Sequence, residues 1–270
     1  MYGNVSQPDS PEISGCSRGP KKRKKKWSLN PSESKTVLPQ PLSDSYKLVT
    51  LSQRKELITG WMDLLKTNFQ DDPLETEQVL VIQSEALDDG PFCHVSLLTD
   101  SKEDLVVCGV SCDVFPRHSN VLVGYLATHP EYKRQGLASK VWRSSMDILS
   151  DSEKLSPNPL LFFAEVSVAP ASSSARGYWH AKGFQRLDFT YYLPEKYRKK
   201  KSSLEEEYML TVLTQDPSVK RISASRIMTF LEDFYDWCSD MEDSTRDPGM
   251  VSMLEKIEKL DYVDLIDIPE

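Results

Sequence analysis

Residues 121–138 read Val-Leu-Val-Gly-Tyr-Leu-Ala-Thr-His-Pro-Glu-Tyr-Lys-Arg-Gln-Gly-Leu-Ala. An apolar run typical of a strand leads into a basic loop, and apolar residues from Val141 to Leu149 then recur at the spacing of a helix with one buried face. The first turn of such a helix offers unpaired backbone N–H groups and a partial positive charge. Because Gly136 lacks a Cβ, the backbone there can approach a bulky anion closely. The stretch therefore predicts a phosphate-binding loop between a strand and a helix.

This loop resembles motif A of the GNAT acetyltransferases, which reads Gln/Arg-x-x-Gly-x-Gly/Ala. Lys133, Gly136 and Ala138 occupy its defined positions, with Arg134 and Gln135 between them. Lysine at the first position keeps a positive charge, although it cannot make the planar two-point contact of arginine. The alternative interpretation is an exposed basic loop in front of an ordinary helix.

A second resemblance follows about forty residues later. Leu160–Val168 is a run of β-formers without strict alternation, as expected for a strand covered on both faces. Residues 172–184 then predict a serine-capped short helix closed by Gly183 at the position of a left-handed cap. Motif B of the GNAT family is a strand and a helix ending Ala-x-x-x-Tyr-x-x-x-Gly-Phe, and Ala175, Gly183 and Phe184 match it in register. Both motifs together identify a GNAT-like chain.

The resemblance implies an α/β fold with a mixed, splayed sheet of about seven strands and flanking helices. The GNAT order is strand, helix, three strands, helix, strand, helix and two strands. Local patterns place the remaining elements as strands over 46–51, 91–99, 104–115, 185–193 and 207–213 and a helix over 53–68. Residues 69–90 show only a possible helix over 76–86.

Composition divides the chain into three predicted parts. Residues 1–45, rich in Ser, Pro and Lys, are expected to form a disordered basic tail. Residues 46–215 form the GNAT domain, and 216–270 form an acidic helical extension packed on it, with a helix over 219–237 and a short strand or docking segment at 262–266. The last forty residues hold 13 acidic and 3 basic side chains. That end is either a solvated acidic face or a surface for a basic partner or for the basic tail.

Overall composition excludes several classes of protein. The chain has 270 residues, 39% of them hydrophobic, and a net charge of -8, which argues against a specific nucleic-acid partner. No apolar run reaches the roughly 18 residues of a membrane helix, so no membrane partner is expected. Five cysteines without a Cys-x-x-Cys pair predict reduced thiols and no metal site.

Lys21–Lys26 is a compact basic run that resembles a nuclear localisation signal. It predicts a nuclear import receptor as a partner and a nuclear or nucleocytoplasmic location. The alternative is a solvated polybasic tail that touches nucleic acid or acidic lipid without specificity.

The GNAT resemblance implies direct attack of an amine on the thioester of acetyl-CoA. In the family, backbone at a bulge in the fourth strand polarises the thioester carbonyl, and this maps to Leu126, Ala127 and Thr128. The cofactor would be bound there and along the loop that consists of Lys133, Arg134, Gln135, Gly136, Leu137, Ala138 and Ser139.

Glu165 is the candidate general base for the incoming amine. It is a lone carboxylate near the end of an apolar strand, where open α/β sheets place their ligands. A lysine-like amine has a pKa of about 10.4 and must lose a proton before it attacks. The alternative is that Glu165 marks the point where the strand meets water. His118 and His129, in loops, are weaker candidates.

The general acid departs from the family pattern. The tyrosine that protonates the leaving thiolate in GNAT enzymes is replaced by Trp179, and Tyr178 is adjacent. A shift of one residue rotates a helical side chain by about 100°. The sequence therefore predicts an N-acetyltransferase or, alternatively, a catalytically weak acetyl-CoA-binding adaptor. A protein lysine, an N-terminus, a polyamine and an antibiotic amine all stay open as acceptors.

Overall fold

The computed structural model describes residues 45–69, 90–102, 105–156, 158–198, 207–238 and 247–269. Five helices lie in these ranges: α1 Ile58–Asn68, α2 Leu137–Ser150, α3 Ser173–Ala181, α4 Ala224–Cys238 and α5 Pro248–Ile257. The strands are β1 Tyr46–Thr50, β2 Phe92–Asp100, β3 Val106–Phe115, β4 Asn120–Thr128, β5 Leu161–Ser167, β6 Gln185–Leu187, β7 Tyr208–Leu213, β8 Arg221–Ser223 and β9 Tyr262–Ile266.

The nine strands form one mixed sheet in the order β1-β2-β3-β4-β5-β7-β6-β9-β8. β4 and β5 are parallel, and the other neighbouring pairs are antiparallel. From β1 to β7 the elements follow the predicted order of strand, helix, three strands, helix, strand, helix and two strands. The predicted α/β, GNAT-like fold is confirmed.

Helices cover both faces of the sheet. Phe162, Ala164 and Val166 of β5 pack in the apolar core under α2 and α3. Leu161 and Phe163 point the other way and pack in the core under α4 and α5. α1 covers the same face as α4, over β3 and β4. Since successive residues of β5 are buried on opposite faces, its lack of polar alternation is explained.

The carboxy-terminal residues extend the sheet, which accounts for nine strands where about seven were expected. β9 pairs with β6 through Arg186 and Leu187, and β8 pairs with β9. The segment at 262–266 is therefore a strand, with alternating exposed and buried residues. The predicted helix over 219–237 begins later, at Ala224, because 221–223 form β8.

Two local predictions were wrong. β6 ends at Leu187 and not at residue 193, since the chain turns into the core, where Tyr191 and Leu193 are buried. Ser172 stands at the start of α3, but its side chain makes no capping hydrogen bond, because the helix opens from a 3-10 turn over Pro170–Ser172.

The predicted tail over 1–45, with Lys21–Lys26, and the possible helix over 76–86 lie outside the described residues, apart from residue 45. The boundaries at 215 and 216 stay predictions. None of the helices in the described ranges is long and apolar enough to cross a membrane.

Candidate functional site

The loop between β4 and α2 has the backbone of an anion cradle. Arg134 and Gly136 both adopt left-handed conformations, with φ of 64° and 75°, and α2 begins at Leu137. Alternating backbone of this kind turns successive N–H groups toward a common concavity. A Cβ added at Gly136 would meet no atom within 4 Å, so the space in front of the helix terminus is open to a ligand.

A cavity of about 880 Å³ begins at this loop and passes through the sheet. β4 and β5 pair only from Asn120 to Val123 and from Leu161 to Ala164. Beyond these residues the two strands have no ladder between them, so the sheet is split there. The cavity is lined on one side of the split by residues of α2 and α3 and on the other by residues of α1 and α4.

The bulge in β4 lies earlier than predicted. The β3–β4 register jumps at Gly124, because Ser111 lies opposite Tyr125 while Cys112 lies opposite Val123. The Tyr125 N–H donates to Ser111 Oγ at 3.1 Å. The His129 N–H donates to the Val107 carbonyl of β3 at 2.8 Å. The bulge at Gly124 thus bends β4 away from β5 at the start of the split.

Alternation along β4 decides which of the three predicted backbone donors face the split. Since the amides of Tyr125 and His129 point to β3, those of Leu126 and Thr128 point to the opposite side, toward β5. Both residues line the cavity. Ala127 does not: its side chain is buried with the α1 core, and its backbone faces β3.

Most of the predicted loop residues line the cavity, namely Lys133, Arg134, Gly136, Leu137, Ala138 and Ser139. Gln135 is the exception. Its Oε1 accepts a hydrogen bond from the Tyr46 hydroxyl at 3.0 Å, which turns the side chain toward β1. We therefore assign Gln135 to the support of the loop and not to ligand contact.

Glu165 lies on β5 directly after the last residue that pairs with β4, and it lines the cavity at the split. The Tyr191 hydroxyl donates a hydrogen bond to its Oε1. Burial raises the pKa of Glu165 to about 7, and the Tyr191 hydrogen bond opposes that rise. A carboxyl with this pKa exchanges protons readily at neutral pH.

Tyr178 and Trp179 both reach the cavity, in different ways. Trp179 is buried and packs edge-on against Trp142 and Phe184, with ring centroids 5.9 and 4.8 Å away. The Tyr178 hydroxyl is buried and makes no hydrogen bond of good geometry among the described residues, although Ser139 lies nearby. Burial raises the pKa of Tyr178 to about 12. A buried hydroxyl without a partner, on a residue that lines the cavity, is suited to a ligand atom.

The histidines of the loops lie outside the cavity lining. His118 Nδ1 lies 2.7 Å from Asp233 Oδ2 on α4, and the ring of His129 packs edge-on against Tyr132. The four cysteines of the described ranges are buried thiols outside any disulfide bond, and burial raises the pKa of Cys108 to about 11. Burial raises the pKa of Cys112 as well, so neither Cys108 nor Cys112 is activated as a nucleophile by a lowered pKa.

Sequence reasoning missed two contributions to the site, the hydrogen bond from Tyr191 to Glu165 and the part of the cavity wall formed by α4. Tyr191 was assigned to a strand, and no local pattern shows that it turns back to Glu165. Phe234, Trp237 and Cys238 at the end of α4 also line the cavity. Their apolar spacing predicted the helix, but its position over the split depends on β8 and β9.

No family model matches the sequence, and no curated protein matches it. Many structures similar to this one are GNAT-family acetyltransferases. Ribosomal-protein-S18-alanine N-acetyltransferase from Escherichia coli covers 63% of this chain and 94% of its own, with a TM-score of 0.44 and 14% identity. Naa50 from Arabidopsis thaliana, solved with a bisubstrate analogue, covers 63% and 98%, with a TM-score of 0.43 and 14% identity. The NatC complex bound to Gag peptide and CoA covers 63% and 98%, with a TM-score of 0.45 and 18% identity. These likenesses identify neither an acceptor nor a catalytic residue of this chain.

Proposed function

We propose that this protein is an N-acetyltransferase that transfers the acetyl group of acetyl-CoA directly to an amine. The observation that carries the proposal is the cavity, which joins a cationic helix N-terminus to a carboxylate through the split between β4 and β5. A phosphate-bearing thioester and an amine can therefore enter from opposite faces of the sheet and meet at the split.

The loop and β4 would hold acetyl-CoA. Lys133, Arg134 and the amides of the first turn of α2 would bind the pyrophosphate. The amides of Leu126 and Thr128 would donate hydrogen bonds along the thioester arm. A backbone donor aimed at the developing oxyanion is typically worth about 10²- to 10³-fold in rate.

Glu165 would act as the general base. It takes a proton from the ammonium, and the free nitrogen attacks the thioester carbonyl carbon. The C–S bond then breaks, and the Tyr178 hydroxyl protonates the departing sulfur. Solvent takes up the second proton lost by the nitrogen and the proton held by Glu165, and it returns one proton to the Tyr178 phenolate. The products are an N-acetyl amide and the free thiol of CoA.

A second candidate is a protein that binds acetyl-CoA and turns over poorly. It is favoured by Trp179, because an indole stands at the tyrosine position of the motif and is buried among aromatic rings. An indole N–H is not an acid of useful strength. The orphan hydroxyl of Tyr178 in the same cavity favours turnover.

Release of free thiol from acetyl-CoA with a panel of primary amines distinguishes the two candidates. The transferase predicts steady release that falls about 10²- to 10⁴-fold in Glu165→Gln at neutral pH. Glu153→Gln, at an exposed carboxylate after α2, is the matched control. Acetyl-CoA binding without thiol release for any amine would establish the binding protein instead.

A further inference from the structure

The half of the cavity beyond the split has one wall that comes from the carboxy-terminal extension. Phe234, Trp237 and Cys238, on the last two turns of α4, line it. The facing wall holds Phe69, at the end of α1, and Tyr125, after the β4 bulge, whose rings meet edge-on at 5.1 Å. We call this half the acceptor chamber.

Three contacts fix α4 in place as a wall. Phe230 stacks on Phe163 of β5 with ring centroids 3.8 Å apart. The Tyr235 hydroxyl donates to the Tyr192 carbonyl at 2.6 Å. Asp233 pairs with His118 at 2.7 Å, outside the chamber. Because the helix is held along its length, Trp237 is presented to the chamber on a rigid element.

Charge divides the cavity into two halves. Lys133 and Arg134 line the loop end, whereas Asp113 and Glu165 line the other half. Asp113 lies opposite Leu122, and Glu165 follows the residue opposite Val123. Along β4, Asp113 therefore lies about 20 Å and Glu165 about 13 Å from Thr128, where the strand ends before the loop. The loop end therefore attracts an anion, and the acceptor chamber attracts a cation.

Two of the chamber's uncharged polar side chains make hydrogen bonds within the fold, and Trp61 Nε1 on α1 is buried without one among the described residues. Asn68 Nδ2 donates to the Leu64 carbonyl at 2.8 Å, and Ser111 Oγ accepts from the Tyr125 amide. The rest of the wall includes the aromatic rings of Phe69, Tyr125, Tyr208 and Trp237. Aromatic walls of this kind pack well against a methylene stem and against the ammonium at its end. A peptide carbonyl beside the amine would be poorly solvated between the same walls.

Resting on the proposed function, we propose that the acceptor is a primary ammonium on an aliphatic stem, and that Trp237 of the carboxy-terminal extension determines this specificity. The stem lies between the walls of α1 and α4, and the ammonium points to Glu165. Peptide lysine side chains and free polyamines share this chemistry, whereas the α-amine of a peptide does not.

Thiol release with three probes tests this specificity. Nα-acetyl-lysine amide represents a peptide lysine, spermidine a polyamine and alanine amide a peptide N-terminus. We expect kcat/KM to be at least tenfold higher for Nα-acetyl-lysine amide or for spermidine than for alanine amide. Whichever of these two probes has the higher value shows whether the acceptor is a peptide lysine or a polyamine. Trp237→Ala should raise KM for that acceptor about tenfold. Trp237→Phe keeps an aromatic ring at this position and should give a KM close to that of the wild type. Glu232→Ala, at an exposed position of the same helix, is the matched control.

A binding measurement keeps this proposal separate from the proposed function. Isothermal titration of Nα-acetyl-lysine amide, spermidine and alanine amide into the protein saturated with CoA should show the tightest binding for one of the first two. Trp237→Ala should weaken that binding and leave the Kd of acetyl-CoA unchanged. No thiol release together with this binding would overturn the transferase and keep the chamber. The proposed specificity of the acceptor chamber would be wrong if alanine amide were acetylated with the same kcat/KM as the other two amines. It would also be wrong if a folded Trp237→Ala protein bound the amine with unchanged affinity.

Discussion

Among single residues, Glu165 combines the properties that a general base for an amine requires. It lines the cavity at the split, its carboxylate is held by one hydroxyl donor, and its pKa of about 7 lies near physiological pH. Burial raises the pKa of the nearby Tyr235 phenol and keeps it neutral near pH 7, so the Tyr191 hydroxyl is the described contact that most directly stabilises the charged form of Glu165.

Tyr191→Phe should therefore change the pH dependence of the reaction. Without the hydroxyl, the effect of burial is unopposed and the pKa of Glu165 rises above about 7. A base must be deprotonated to act, so the acidic limb of kcat against pH should move to higher pH, with activity recovered in alkaline buffer. Tyr192→Phe is the neighbouring control. A limb that stays in place would show that Glu165 is not the titrating base.

Trp179→Tyr tests the position at which this chain has a tryptophan and the family motif has a tyrosine. Because Trp179 packs against Trp142 and Phe184, the smaller ring should leave a cavity and cost about 1 kcal/mol or more of stability. We expect no gain in turnover, while Tyr178→Phe should lower kcat about 10²-fold or more with little change in melting temperature. A rise in turnover for Trp179→Tyr would contradict the assignment of Tyr178 as the acid.

At the level of elements, the loop from Lys133 to Ser139 and its flanking strand and helix could be predicted, because each has a local signature of charge, glycine or apolar spacing. The bulge at Gly124 could not be placed, since a register jump depends on the partner strand β3. Tyr191 was missed for a similar reason, as a run of β-formers does not reveal which residue leaves the sheet.

The sequence did contain a usable signal for α5. Asp247 is followed by Pro248, a favoured pair of cap and first helical residue. In the structure the Asp247 carboxylate accepts hydrogen bonds from the amides of Gly249 and Met250 at 2.7 and 3.3 Å, and it pairs with the buried Arg198 guanidinium. This buried pair joins the chain before β7 to the start of α5.

Asp247→Ala should be strongly destabilising. The change removes the helix cap and leaves the Arg198 charge buried without its carboxylate, for which a loss of about 3–5 kcal/mol is typical. Denaturant unfolding measures it, with Glu255→Ala, at an exposed position of α5, as the control expected to stay within about 0.5 kcal/mol. A loss below about 1 kcal/mol would show that the pair does not hold the extension in place.

For the whole molecule, the carboxy-terminal extension is part of the sheet and also part of the cavity. β9 pairs with β6, and α4 supplies Trp237 and Phe234 to the acceptor chamber. The extension therefore links the stability of the sheet edge to the shape of the site. The two chain ends also differ in charge, with the basic run at Lys21–Lys26 and acidic residues near the carboxy terminus.

Deletion of residues 20–26 tests the proposed nuclear location. The run precedes β1 by about twenty residues, so its loss should leave the melting temperature and thiol release unchanged. A fluorescent fusion should move from the nucleus to the cytoplasm. Unchanged nuclear accumulation would reject the run as an import signal.

The central claim is that the loop before α2 binds acetyl-CoA, and isothermal titration of acetyl-CoA into wild-type and Gly136→Glu protein tests it most directly. The added carboxylate lies where the pyrophosphate would bind, so we predict saturable binding by the wild type and a loss of at least a hundredfold in the variant. Gly177→Glu, on α3 outside the cavity lining and also in open space, should bind as the wild type does. Equal affinity in a folded Gly136→Glu protein would contradict the account.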